Sequence, residues 1–346
     1  MAVRVGVGLF TGQVPPGSGR AFEQEYREAL DLVRLAEALG FDAAWVSEHH
    51  GSSDGYVPSL LPVLGAFAAA TERIRLGTGV LLAPFHHPLR LAEDAATVDL
   101  LSGGRLVLGL GLGWREEEFR MFGLPLRERV RRTVETVEVL RRAWTGRRFS
   151  YEGKVFRFDQ VRVTPPPAQE GGPPIWLGGT AQAAVRRAGG LADGYLRTRG
   201  GGVEAMAAAL ALAEEGARNA GRDPEALAFG QLQNVFVWDQ GDPWELVRDP
   251  LRYQLGVYRA WAEGDDTPAR DHLVPRPPDD ETLRRLTPVG DPHAVLHALR
   301  PMVEAFGSRR EFHLVVRLHY PGMDFATAAR AMELFGEKVL PALKGD

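Results

Sequence analysis

The chain has 346 residues, 45% hydrophobic and 25% charged, an ordinary globular balance, and its formal net charge of −4 gives no electrostatic basis for nucleic-acid binding. With no cysteine it offers no disulfide, thiolate nucleophile or Cys-ligated metal, a composition in keeping with the cytoplasm. No apolar stretch approaches the roughly 20 residues of a membrane helix, and Met1–Val5 opens no signal-peptide pattern.

Val3–Leu9 alternates Val, Gly and Leu and predicts a first strand, followed by a Gly- and Pro-rich loop, Thr11–Arg20. Ala21–Leu39 carries Ala29, Leu32, Leu35, Ala36 and Leu39 at helical spacing and is stopped by Gly40. The apolar run Ala43–Val46 then ends abruptly in Ser47-Glu48-His49-His50. That pattern predicts a buried parallel strand feeding a loop with three ionisable side chains. Ser59–Ala70 reads as an apolar helix, and Arg73–Leu82 as a third strand with Gly77 and Gly79 inside it. Glycines within a strand suggest close approach of another backbone or a ligand. Leu89–Leu101 is a helix, and Arg105–Leu110 a fourth strand running into the glycine ladder Gly109, Gly111, Gly113.

The rhythm breaks at Trp114. Glu116–Phe122 predicts a short helix, Arg129–Trp144 a long one, and Phe149–Phe158 a hairpin, so residues 114–172 form an excursion. Alternation then resumes with strands at Pro174–Leu177, Asp193–Leu196, Ala228–Trp238 and Glu311–Leu318. The helices between and after them are Ala181–Gly189, Glu204–Ala220, Asp291–Phe306 and Asp324–Leu340. A second insertion, 239–288, contains a helix near Trp244–Ala262 with Trp244, Tyr253, Tyr258 and Trp261 along it. Eight strand–helix units in a single domain predict an α/β (β/α)8 barrel, whose chemistry belongs at the carboxyl ends of the strands. A doubly wound open sheet is the alternative. It needs a glycine fingerprint opening a helix directly after strand one, and Gly6, Gly8, Gly12, Gly17 and Gly19 do not supply it.

Two features carry chemistry on residue type alone. His49 and His50 are neighbours at a strand end; on an extended backbone they point opposite ways, so one faces the pocket. An imidazole there serves as general acid or base. Gly178-Gly179-Thr180 opens a helix directly after a strand, where free N–H groups and the helix dipole favour an anion. His86-His87 is a second pair at the rim. The histidines and carboxylates lack ligand spacing, so no metal site is expected.

Taken together, the runs EHH (48–50), RIRLGTGVLLAPFHHPLRLAED (73–94), LLSGGRLVLGLGLGWREEEF (100–119) and PIWLGGTAQAAVRRAGGLADGYL (174–196) resemble the bacterial luciferase-like flavin oxidoreductases, in order and spacing over nearly the whole chain. The resemblance implies a barrel binding FMN or the deazaflavin coenzyme F-420. It implies His49 as acid/base, with His50 in support and Glu48 orienting a ring. It places Gly79, Val80 and Leu81 beneath the flavin, at a bulge or non-proline cis peptide. It assigns the flavin phosphate to Gly178, Gly179 and Thr180, and the opposite wall to Gly111 and Gly113. Two markers depart from the family: Trp114 stands where deazaflavin-dependent sugar-phosphate dehydrogenases carry a glutamate, and Leu112 where FMN enzymes carry an arginine. The expectation is therefore a monooxygenase using reduced FMN and oxygen on a small organic substrate, with a separate flavin reductase and a homodimeric assembly. A deazaflavin-dependent hydride-transfer reductase or dehydrogenase is the alternative, and a flavin-binding protein without catalysis a third reading. The aromatic stripe of the second insertion is expected to act as a lid.

Overall fold

A computed structural model describes residues 3–198, 200–264 and 276–345; part of the second insertion, 265–275, lies outside them. Short apolar runs become strands, and the amphipathic stretch after each returns as a helix. In order these are β1 (Val3–Phe10), α1 (Phe22–Ala38), β2 (Ala43–Val46), α2 (Leu60–Ala70), β3 (Arg75–Thr78), β4 (Leu81–Leu82), α3 (Pro88–Ser102) and β5 (Leu106–Gly111). The first excursion holds α4 (Glu116–Met121), α5 (Arg129–Ala143) and the hairpin β6 (Phe149–Glu152) and β7 (Arg157–Val161). Then come β8 (Ile175–Gly178), α6 (Gln182–Leu191), β9 (Gly194–Arg197), α7 (Val203–Asn219), β10 (Ala228–Asn234) and β11 (Phe236–Val237). The chain continues with α8 (Pro243–Ala262), α9 (Asp280–Leu286), β12 (Val289–Gly290), α10 (Pro292–Phe306), β13 (Phe312–Arg317), α11 (Phe325–Leu334) and α12 (Leu340–Lys344).

All barrel neighbours are parallel, in the order β1, β2, β3/β4, β5, β8, β9, β10, β13. Closure is made where β13 returns to β1, Val7 opposite Val316, and where β3 meets β5, Leu76 opposite Leu106. A closed parallel barrel of eight staves rules out the open sheet. Among the described residues no helix is long and apolar enough to cross a membrane.

The barrel interior is plugged by two indoles. Trp45 and Trp176 lie 5.6 Å apart between ring centroids, and the His313 ring packs 4.8 Å from Trp176. Glycines on neighbouring strands make room for them. A Cβ at Gly77 would sit 2.3 Å from the Trp45 ring, and one at Gly194 2.4 Å from that of Trp176. Gly77 therefore answers a side chain, not the backbone or ligand its place in the strand suggested.

Three predicted elements are interrupted. The third strand breaks between β3 and β4 at a cis Gly79–Val80 peptide. The seventh ends at Asn234: Phe236 and Val237 continue the apolar alternation but leave the barrel to pair with Val289 and Gly290. The last helix is divided by a π turn at Phe335–Val339. Hydrophobic period does not report which partner an extended segment chooses.

Candidate active site

The loops after β1, β2 and β13 build one side of the barrel mouth from side chains. β2 delivers Glu48, His49 and His50, all buried. Glu48 Oε1 is hydrogen-bonded to His50 Nε2 at 2.7 Å and lies 3.4 Å from His86 Nε2, while its Oε2 accepts the Leu82 N–H at 3.2 Å. Burial works against the Glu48 charge, but the His50 and His86 bonds outweigh it and hold the carboxyl below its usual range. All its partners are therefore supplied within the protein, and it orients His50 rather than His49.

The two adjacent rings diverge, as neighbours on an extended chain must. His50 turns towards Phe122 and Phe85, with centroids at 4.7 and 5.4 Å. His49 turns into an aromatic cage, 4.8 Å from both Tyr56 and Trp261 and 5.5 Å from Tyr258. Its Nδ1 is bonded at 2.9 Å to Oε1 of Glu118 on α4, and the same oxygen accepts the His50 N–H at 2.9 Å. A carboxylate on Nδ1 leaves Nε2 as the ring's open nitrogen. Glu118 is fully buried, and its Oε2 has no hydrogen-bond partner among the described residues. Arg115 spans the group: Nη1 donates to the His50 carbonyl at 3.0 Å and lies 3.6 Å from Glu118, and the guanidinium sits 4.0 Å from the Trp261 ring centre.

α8 closes over this side. Tyr258 and Tyr56 share a hydroxyl–hydroxyl bond of 2.7 Å. Tyr253 donates to Asp54 at 3.0 Å, an oxygen that also takes Gln13 Nε2 at 2.6 Å. Burial raises the Tyr56 and Tyr258 phenols, keeping both protonated near neutral pH. Trp244 departs from the expected stripe and packs instead under Arg284, 4.2 Å from its guanidinium.

The far side, at β4, β5 and β8, is built from backbone. Val80, after the cis peptide, projects between Gly111 and Gly178. A Cβ at either would fall 2.5 or 3.0 Å from its methyls. The space that a side chain at Gly111 would need is thus taken by Val80. The Leu81 side chain lies in the core cluster shared with the helix layer. Gly113, at φ +68°, turns the chain out of β5. Gly178, Gly179 and exposed Thr180 lead into α6, whose N-cap Ala181 offers no side-chain cap. The first amides of α6 thus have no capping side chain, the condition for an anion site. Arg129 Nη1 donates to the Gly113 carbonyl at 3.2 Å. Arg187 on α6 is held below its usual value by burial and by the Arg129 charge beside it.

Sequence reasoning missed Glu118, Arg129, Arg187 and Tyr56. Glu118 is hidden in the run Glu116–Glu118, which reads as first-turn acid of a helix. A signal was present: it sits beside Phe119 on the face that turns inward. His87 lies outside the site, exposed and 5.6 Å from the Phe158 ring of the hairpin.

The sequence profile of luciferase-like monooxygenases matches residues 3–309. An F420-dependent glucose-6-phosphate dehydrogenase of Nakamurella multipartita is 32% identical over 92% of this chain and 92% of its own. One from Nocardia farcinica is 31% identical over 92% and 94%. Among solved structures, the monooxygenase RslO1 from Streptomyces bottropensis superposes with a TM-score of 0.82 at 30% identity, covering 98% of this chain and 99% of that one. A barrel with a histidine-bearing side and a glycine-built side at one mouth, matched by that profile over nearly its whole length, makes this chain an oxidoreductase of the luciferase-like family.

Proposed function

We propose that the protein is a deazaflavin (F-420)-dependent oxidoreductase that moves a hydride between the cofactor and a small alcohol or carbonyl substrate. The observation that carries the reading is the buried His49–Glu118 pair, 2.9 Å apart, at the mouth of a barrel whose relatives include F420-dependent dehydrogenases. Trp114, 40% exposed, stands where the family resemblance expects the glutamate of deazaflavin-dependent sugar-phosphate dehydrogenases, so proton transfer falls to the histidine.

The mouth fits a flavin-type ring and its phosphate. The glycine-built side offers a flat seat over Val80, and the uncapped start of α6 with Arg129 and Arg187 would hold the phosphate. When bound, the deazaflavin supplies a two-electron hydride acceptor or donor. His49 Nε2 takes the proton of the substrate hydroxyl in one direction and returns it in the other. Glu118 fixes the tautomer and stabilises the imidazolium. Tyr56, Tyr258 and Trp261 exclude water around that nitrogen, and Arg115 holds Trp261 in place.

The test is titration of the protein with oxidised and reduced F-420 and FMN, followed by fluorescence and isothermal calorimetry. Selective binding of F-420 is the expected result; selective binding of FMN overturns it. The FMN result would favour the second reading, a monooxygenase fed by a separate flavin reductase, which the likeness to RslO1 supports.

A further inference from the structure

β13 carries a charge that the reaction above does not use. Phe312, Leu314 and Val316 join the core between barrel and helices, whereas His313 meets both tryptophans and Val315 belongs to the interior cluster. The next inward position, at the mouth, is Arg317. Its side chain is 2% exposed, yet Nε has no hydrogen-bond partner, and no carboxylate pairs with its guanidinium among the described residues. Arg105, at the opposite end of the barrel, shows what a structural arginine looks like here. It donates to Ser102, Thr71, Ile74 and Ala68 at 2.6 to 3.1 Å.

A buried guanidinium with an unbonded Nε and no carboxylate beside it is costly, and its planar fork is shaped for an oxyanion. On the β1 flank the paired register ends one position earlier, with Val7 opposite Val316. Asn234 is the register partner on the other flank. β13 is separated by β10 and β9 from β8, the strand that leads into α6, so an anion at Arg317 is separate from a phosphate at α6. The Arg317 charge also reaches the phenols of Tyr56 and Tyr258, which enclose His49.

We propose that Arg317 is the receptor for an oxyanion of the substrate, a carboxylate or a phosphate, which it anchors beside His49. This rests on the mouth being the oxidoreductase site, and the experiment separates the two. Protein saturated with F-420, whose phosphate fills the α6 end, is titrated with inorganic phosphate and with oxalate by thermal shift and calorimetry. One of the two binds saturably, and its identity names the group. Arg317→Met weakens that binding by roughly tenfold or more, and Arg317→Lys by less, because a point charge replaces the fork. Without anion, Arg317→Met melts at or above the unmodified protein, since it removes an unpaired buried charge. Should F-420 fail to bind, the same anion titrations run on the Arg129→Gln/Arg187→Gln background, and the role of Arg317 is still read. No binding of either anion, an undiminished response in Arg317→Met, or a melting point well below the parent's overturns the proposal.

Discussion

The two sides of the barrel mouth are made of different material. Around His49 the surface is side chain: a carboxylate from α4, phenols from α8 and the loop after β2, and a guanidinium from the loop after β5. Across from it, the surface is main chain, with Gly111 and Gly178 around one valine. Side chains hold protons and charges; bare backbone offers flat contact and amides. The first side is therefore suited to chemistry and the second to holding a cofactor, and substitutions on the two should separate turnover from affinity.

The largest separation is expected at His49. His49→Ala should lower turnover by about 10²- to 10⁴-fold, the usual worth of a general acid–base, with F-420 affinity unchanged. Full turnover in that variant would remove the assignment. Glu118→Gln should give a smaller loss of the same kind and shift the pH–rate profile, because the imidazolium loses its carboxylate.

Acid should weaken the side-chain wall first. His319, after β13, is buried and held down to about 4, chiefly by burial and then by the Arg20 and Arg317 charges. Its unfolded value is 6.5, so the unfolded chain binds the extra proton between those values. Stability is complete above about pH 6.5 and falls as pH drops towards 4, by about 3 kcal/mol for this group. Urea unfolding at pH 7 and pH 5 should show the slope, and His319→Gln should flatten it. An unchanged slope would place the acid sensitivity elsewhere.

On the backbone side, Gly111→Ala places a Cβ 2.5 Å from Val80 and should cost about 1–3 kcal/mol. F-420 affinity should fall with it while His49 is untouched. Adding Val80→Ala should restore part of the stability, a coupling read from the double-mutant cycle. The smallest effect is Tyr253→Phe, which removes the bond from α8 to Asp54 and should cost about 1 kcal/mol in urea unfolding.

The same contrast decides what could be read from the chain. Strands and helices of the barrel announce themselves in local period, and the backbone wall in the placing of its glycines, as at Gly178-Gly179. His49 stands out because ionisable residues follow an apolar run. Glu118 lies 69 residues from His49, and Tyr258 lies 202 from Tyr56. Such pairs exist only once the barrel has closed, and neither residue carries a local mark of its partner. Arg317 is an intermediate case: an arginine at an inward position of Phe312–Arg317 is visible in the alternation, but its lack of a carboxylate partner is not.

Trp45 and Trp176 give the barrel a floor. With the indoles and His313 filling its interior, the molecule is a cup rather than a tube. Anything that reaches His49 comes and goes across a single rim, and α8, fastened there through Tyr253 and Tyr258, stands in that doorway. If the mouth is the oxidoreductase site proposed above, cofactor and product share that one doorway.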